Sequence, residues 1–188
     1  MTADPAGPLE PPHRVSAVQR FDEAVDREFD RIRGREPLDR ITYAVTELAD
    51  FGLLWHLIAW SRALRSERDL EAAIRLSVCL GIESVIVNGL VKSLFRRERP
   101  VYQGERPHKL RIPLTTSFPS GHASSAVVAA ILLGENSRAA PAYWALAAAV
   151  GASRIHVRIH HMSDVIGGAA VGLALGVAFR KLWPLRDR

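Results

Sequence analysis

Apolar and charged positions are segregated along this chain rather than mixed. Charges are dense through residues 1–40 and absent from residues 165–179. Near the start, Val15, Val18, Phe21, Val25, Phe29 and Ile32 recur at three- and four-residue steps, and Arg20, Asp22, Glu23, Asp26, Arg27, Glu28, Asp30 and Arg31 fill the other face. This spacing predicts an amphipathic helix within residues 14–35, opened by a Ser16–Gln19 capping box and ended near Gly34. Acids as frequent as arginines favour packing on the protein body over lying on a lipid surface. Residues 1–13 are Pro-rich and acidic without an apolar h-region, which reads as a disordered tail and not as a secretory signal.

Five apolar segments follow, at residues 41–60, 70–91, 122–133, 139–153 and 163–183. The last is the cleanest candidate for a membrane span, closing on Arg180, Lys181 and Trp183 as interfacial anchors would. It carries Gly168, Gly172 and Gly176 at four-residue steps, a stripe along which helices pack closely, within one chain or between two copies. The expected fold is all-α: an integral membrane helical bundle of about five transmembrane helices, or six, over residues 41–184, plus the N-terminal amphipathic helix. Several runs are marginal in length, and a soluble all-helical bundle is the competing architecture. If all five segments span, the loops at residues 92–121 and 154–161 fall on the same side. Glu47, Asp50 and Glu83 then lie at membrane depth, with Arg75 a candidate partner.

Composition narrows the partners. The 188 residues carry a net charge of +5, with 48% hydrophobic and 24% charged, which suits an anionic substrate or an anionic lipid surface. The basic residues sit in short loops between apolar runs, without a basic helix interleaved with aromatics, so nucleic acid is not the expected partner. The single cysteine, Cys79, lies in an apolar run, excludes an internal disulfide and reads as a core thiol.

The candidate chemistry is concentrated in three motifs. In KSLFRRERP (residues 92–100), Lys92 and Arg99 are seven positions apart, so a helix would project both from one face as a phosphate clamp before Pro100 stops it. Arg96, Arg97 and Arg106 add positive potential. In PSGH (residues 119–122), Ser120 and Gly121 at a helix start turn a hydroxyl and free N–H groups toward an anion, and His122 is placed to hand over a proton. In SRIHVRIHHMSD (residues 153–164), His160 and Asp164 are an i, i+4 pair in which the carboxylate holds one ring nitrogen and leaves the other free to attack. Arg154 supplies a further phosphate contact. Two other readings compete here. His156, His160 and Asp164 form a possible divalent-metal stripe, although no further ligands accompany them and the local arginines would repel a cation. Ile155, Val157 and Ile159 alternate with polar residues as in a short strand.

The order K-x6-RP, PSGH, SR-x5-H-x3-D resembles the type 2 phosphatidic acid phosphatase (PAP2) superfamily, with every signature position matched from Lys92 to Asp164. The resemblance implies a phosphatase in which His160 is the nucleophile that becomes phosphohistidine, oriented by Asp164, with His122 as general acid. Lys92, Arg99, Ser120, Gly121 and Arg154 would hold the phosphoryl oxygens, with no metal or other cofactor. The implied substrate is a lipid phosphate or diphosphate at the bilayer surface, with a polyprenyl phosphate or polyprenyl-linked sugar phosphate ahead of phosphatidate or phosphatidylglycerol phosphate. A soluble acid phosphatase or a vanadium haloperoxidase-like enzyme is the alternative within the same family. The excess of Lys and Arg on the motif side places the site facing the cytoplasm by the positive-inside rule, in a bacterial plasma membrane.

Overall fold

The computed structural model describes residues 16–185, and the expected tail at residues 1–13 lies outside them. The described residues form seven α-helices and no strand: α1 (Ala17–Asp30), α2 (Glu36–Leu48), α3 (Leu53–Ala63), α4 (Glu67–Ser84), α5 (Gly121–Gly134), α6 (Ala140–His156) and α7 (Met162–Leu182). The all-α class follows the apolar patterning. The centre of the bundle is α5, whose sequence GHASSAVVAAILLG has no polar stripe and is buried nearly all round. It packs chiefly on α7 and α6 and then on α4. Trp55, Leu76, Cys79, Val128 and Val150 meet in the same core, so Cys79 is the inert packed thiol its context suggests.

Three expectations change. First, residues 41–60 are not one helix. The chain breaks in a 3-10 turn, Asp50–Gly52, where Phe51 and Gly52 take positive φ values of 55° and 70°, a conformation glycine adopts freely and phenylalanine does not. Second, Leu70–Val91 extends further, since α4 continues through a π-helical stretch, Val85–Val91, and a 3-10 turn, Lys92–Leu94. Third, the alternating Ile155, Val157 and Ile159 form no strand, because α6 runs to His156 and a turn follows in which Arg158 takes φ 49°. Among the described residues, two helices are long and apolar enough to cross a membrane, Glu67–Leu94 and Met162–Leu182. With 11 and 14 residues, α3 and α5 reach only about 17 and 21 Å, short of a hydrocarbon core of about 30 Å.

The amphipathic helix exists, with its apolar face only partly inward: Val25 and Phe29 line an apolar pocket against α6 and α7. Ser16 caps α1 by accepting the Gln19 N–H, while the Gln19 side chain bonds Glu23 and leaves the box half closed. Val18 and Phe21 stay exposed. The helix also docks through its acids. Asp26 and Asp30 pair with Arg33 and Arg158, and Arg33 also donates to the Ile155 and His156 carbonyls at the end of α6. At the far end of the bundle, buried Arg75 pairs with Glu135 at 2.5 Å and donates to the Trp183 carbonyl. It is therefore not the partner of Glu47, Asp50 or Glu83.

The glycine stripe works within the chain. A Cβ at Gly168 would come within 2.2 Å of the Ser120 carbonyl oxygen, and one at Gly172 within 2.4 Å of the Ser124 carbonyl oxygen. Both obstacles are backbone, so neither can swing away. Gly168→Ala should therefore separate α5 from α7, costing about 1–3 kcal/mol and most of the turnover. Gly81→Ala, where nothing lies within 4 Å, should be neutral or slightly stabilising. Thermal unfolding of the two variants in detergent checks the contrast.

Candidate active site

Four chain ends converge at one end of the bundle: the continuation of α4 at Lys92, the starts of α5 and α7, and the end of α6. A cleft of about 600 Å³ opens there, lined by Lys92, Gly121, His122 and His160 among the expected site residues, and by Asp50, His56, Glu83 and Asn88 in addition.

The clamp is built differently from the helix-face expectation. The helical chain ends at Leu94, and Phe95 is extended, so Lys92 and Arg99 do not share a helix face. Arg99 comes back from the following segment instead. It is held by the Ile159 carbonyl at 2.9 Å and the Thr115 carbonyl at 3.0 Å. Lys92 is buried, with Nζ 3.3 Å from Thr115 Oγ1. Arg154 is almost wholly buried and donates through Nη1 to Thr46 Oγ1 at 2.5 Å, while its Nε and Nη2 have no partner among the described residues. Buried guanidinium N–H groups without acceptors are costly unless an anion takes them up.

PSGH follows a cis Phe118–Pro119 peptide bond. Ser120 is the N-cap of α5, its Oγ accepting the Ala123 N–H, and its own N–H is donated to the Asp164 carbonyl at 2.9 Å. The first N–H groups of α5 have no acceptor within the helix, which leaves those of Gly121 and His122 for an anion. His122 Nε2 lies 2.8 Å from Asp50 Oδ1, an ion-pair contact rather than an aligned hydrogen bond.

His160 is not helical; it sits in the turn between α6 and α7, and Asp164 is in the first turn of α7. The pair still forms. His160 Nδ1 faces Asp164 Oδ2 at 3.6 Å, longer than a hydrogen bond, and such contacts shorten when substrate arrives. His160 Nε2 lies 3.4 Å from Arg99 Nη1, so the free ring nitrogen looks toward the cations. Burial, reinforced by the charges of Arg154 and Arg99, pushes the His160 pKa down to about 3 against the opposing pull of Asp164. The ring is therefore neutral at pH 7. His156 turns away from this group to Asp39, at 2.7 Å, so the His156–His160–Asp164 stripe does not converge.

All eight expected residues thus meet around one end of the bundle. Sequence reasoning left out Asp50, which reaches His122 across the α2–α3 break, and gave Arg97 only a general electrostatic role. Arg97 donates to Asp164 Oδ1 at 2.7 Å and to Asp22 Oδ2 at 2.6 Å. The "DFG" turn at residues 50–52 was the available signal for Asp50. An acid placed just before a glycine-broken helix is held at a chain reversal.

A cradle of this kind should bind orthovanadate, which spreads charge over equatorial oxygens. Arg154→Ala removes a charged hydrogen-bond donor worth about 1.5–3 kcal/mol, so vanadate binding measured by titration calorimetry should weaken at least about tenfold.

The sequence profile of the PAP2 superfamily matches residues 72–188. Decaprenylphosphoryl-5-phosphoribose phosphatase of Mycobacterium tuberculosis is 37% identical over 87 residues, 46% of this chain and 48% of that protein, so this match spans about half of its length. The protein of the same name from Mycolicibacterium smegmatis is 35% identical over 127 residues, 66% of this chain and 68% of that protein. Among solved structures, the transmembrane PAP2 type phosphatidylglycerolphosphate phosphatase from Bacillus subtilis superposes with a TM-score of 0.72 at 24% identity, over 93% of this chain and 90% of that one. LpxE of Aquifex aeolicus gives 0.69 at 24% identity, over 86% and 95%. Profile, relatives and fold agree with the convergent motifs, and the chain belongs to the PAP2 superfamily.

Proposed function

We propose that this protein is a membrane lipid phosphatase that removes phosphate from a polyprenyl-linked substrate through a phosphohistidine, without a metal. The observation that carries the reading is the group of cations, buried Lys92 and Arg154 with half-buried Arg99, arranged about a neutral His160 whose free Nε2 faces Arg99.

In this reading His160 Nε2 attacks phosphorus while Asp164 holds the proton on Nδ1. The P–O bond to the lipid breaks, and His122 gives its proton to the leaving oxygen. Asp50, 2.8 Å from His122 Nε2, orients the ring. Water then attacks the phosphorus and gives a proton to His122. The N–P bond breaks, and inorganic phosphate leaves with the histidine regenerated. Lys92, Arg99, Arg154 and the N–H groups at Gly121 and His122 neutralise the equatorial oxygens, where most of the catalysis of phosphoryl transfer lies. The same cations would repel a divalent metal.

Support for the bilayer comes from what the two long helices leave outside. Only 33% and 28% of their most apolar windows are buried. Ile74, Val78, Ile82 and Val85 on the α4 segment, and Ile166 and Leu173 on α7, are exposed. Apolar faces of this size need a covering, and lipid chains supply one. The bundle over residues 41–184 would then sit in the membrane with the site at headgroup level.

A phosphorylated sugar headgroup suits the polar wall of the cleft. There Glu83, Ser84, Asn88, Ser77 and His56 line the wall, and Glu83 is buried with Oε1 lacking a sound partner. The relatives are named for a phosphoribose-bearing decaprenyl lipid.

Phosphate release from lipid phosphates in detergent, with EDTA present, tests the reading. Turnover should persist in EDTA, stop with vanadate, and fall by more than about a thousandfold in His160→Ala. Release only with added divalent metal would overturn it. Glu83→Gln should raise KM for a phosphosugar polyprenyl lipid by about tenfold while leaving phosphatidate unchanged. An equal effect on both would remove the sugar assignment and leave the phosphatase intact.

A further inference from the structure

Asp22 is the buried residue of α1, at 4% exposure, while its apolar neighbours Val18 and Phe21 are 53% and 44% exposed. The face turned inward carries Val25 and Phe29, which line an apolar pocket against α6 and α7, and with them Asp22; a buried acid is costly unless it is paired, so its partners matter. Its Oδ1 accepts the backbone N–H of Ser163 at 2.8 Å, and its Oδ2 accepts the Ser163 hydroxyl at 2.7 Å. Ser163 lies in the first turn of α7, so Asp22 caps from another helix an N–H that α7 cannot satisfy itself. The same Oδ2 accepts Arg97 Nη2 at 2.6 Å, and Arg97 Nη1 donates to both Ser163 Oγ and Asp164 Oδ1 at 2.7 Å. One planar guanidinium thus bridges two carboxylates, a geometry that fixes its plane. Asp164 is fully buried, and its other oxygen accepts the His161 N–H at 2.8 Å and faces His160. With Oδ1 tied to Arg97, Oδ2 is the oxygen left for the imidazole. Arg97 is itself anchored, its backbone N–H donating to Thr116 Oγ1 at 2.8 Å.

We propose that Asp22 is a positioning residue for phosphoryl transfer, acting through Arg97 and Ser163 to hold Asp164, and with it His160, in the attacking orientation. This rests on the phosphatase reading of the site. It gives the N-terminal helix a part in the reaction, although no residue of α1 lines the cleft.

The test uses the full chain in detergent and a lipid phosphate that the wild type turns over. Asp22→Asn should lower kcat at least about tenfold with KM within about threefold, and rapid-quench phosphoenzyme formation should slow in step. Asp26→Asn, on the same helix but tied to Arg33 and Arg158, should stay within about twofold; an equal loss there would mean generic docking of α1 and would overturn the proposal. The double variant Asp22→Asn/Arg97→Gln should lose less than the product of the two single losses, whereas fully multiplied losses would show that Asp22 does not act through Arg97. If Asp22→Asn does not fold, Ser163→Ala takes its place under the same criteria. Vanadate binding needs no turnover and separates this idea from the phosphatase reading. Its affinity should weaken about fivefold in Asp22→Asn, and an unchanged affinity would overturn the positioning role.

Discussion

Ser120 donates its backbone N–H to the Asp164 carbonyl, and that bond can form only because Gly168 and Gly172 present no side chain to the backbone of α5. The close approach of α5 to α7 is the constraint on which the site depends. It sets the PSGH turn against the start of α7, so His122 and His160 share one cleft although 38 positions separate them in the chain. The stripe of small residues acts inside the subunit, with backbone contact along the helices and chemistry at one end.

The second organising feature is charge. Lys92, Arg99 and Arg154 are held at a largely buried chain end where cations repel one another. The acids that moderate this repulsion, Asp50, Asp164 and Asp22, are each bound to a specific partner rather than to the group as a whole. They steady histidines and Arg97 while leaving guanidinium N–H groups of Arg154 unpaired. Positive potential is therefore retained for a doubly charged phosphoryl group, and the surrounding low dielectric strengthens it.

Much of this was legible along the chain. The three motifs, the apolar runs between them and the glycine periodicity are local, and each carries its meaning in residue type and spacing. Other features were not legible because they depend on contacts between distant elements. The break at Phe51 and Gly52 hides inside an apolar run, since hydropathy does not register φ. Arg99 was expected on a helix face with Lys92, yet the chain leaves the helix at Leu94 and Arg99 returns by bonding carbonyls of another loop. The amphipathic pattern of α1 pointed to packing on the body, and this is met in part, since Val25 and Phe29 face α6 and α7 while Val18 and Phe21 stay exposed. The helix is seated by Asp22, Asp26 and Asp30, because arginines from three loops meet it there.

The sequence by itself determined the helical class, the apolar segments, and which residues are candidates for the phosphate chemistry, because periodicity and side-chain type act locally. Tertiary structure decided how these parts face one another. It brought Asp50 to His122, bridged Asp22 to Asp164 through Arg97, and turned His156 away to Asp39. Pairings of this kind form between elements far apart in the chain. They are fixed by the packing of helices and by the need to give each buried charge a partner, and neither is written in the spacing of any one segment.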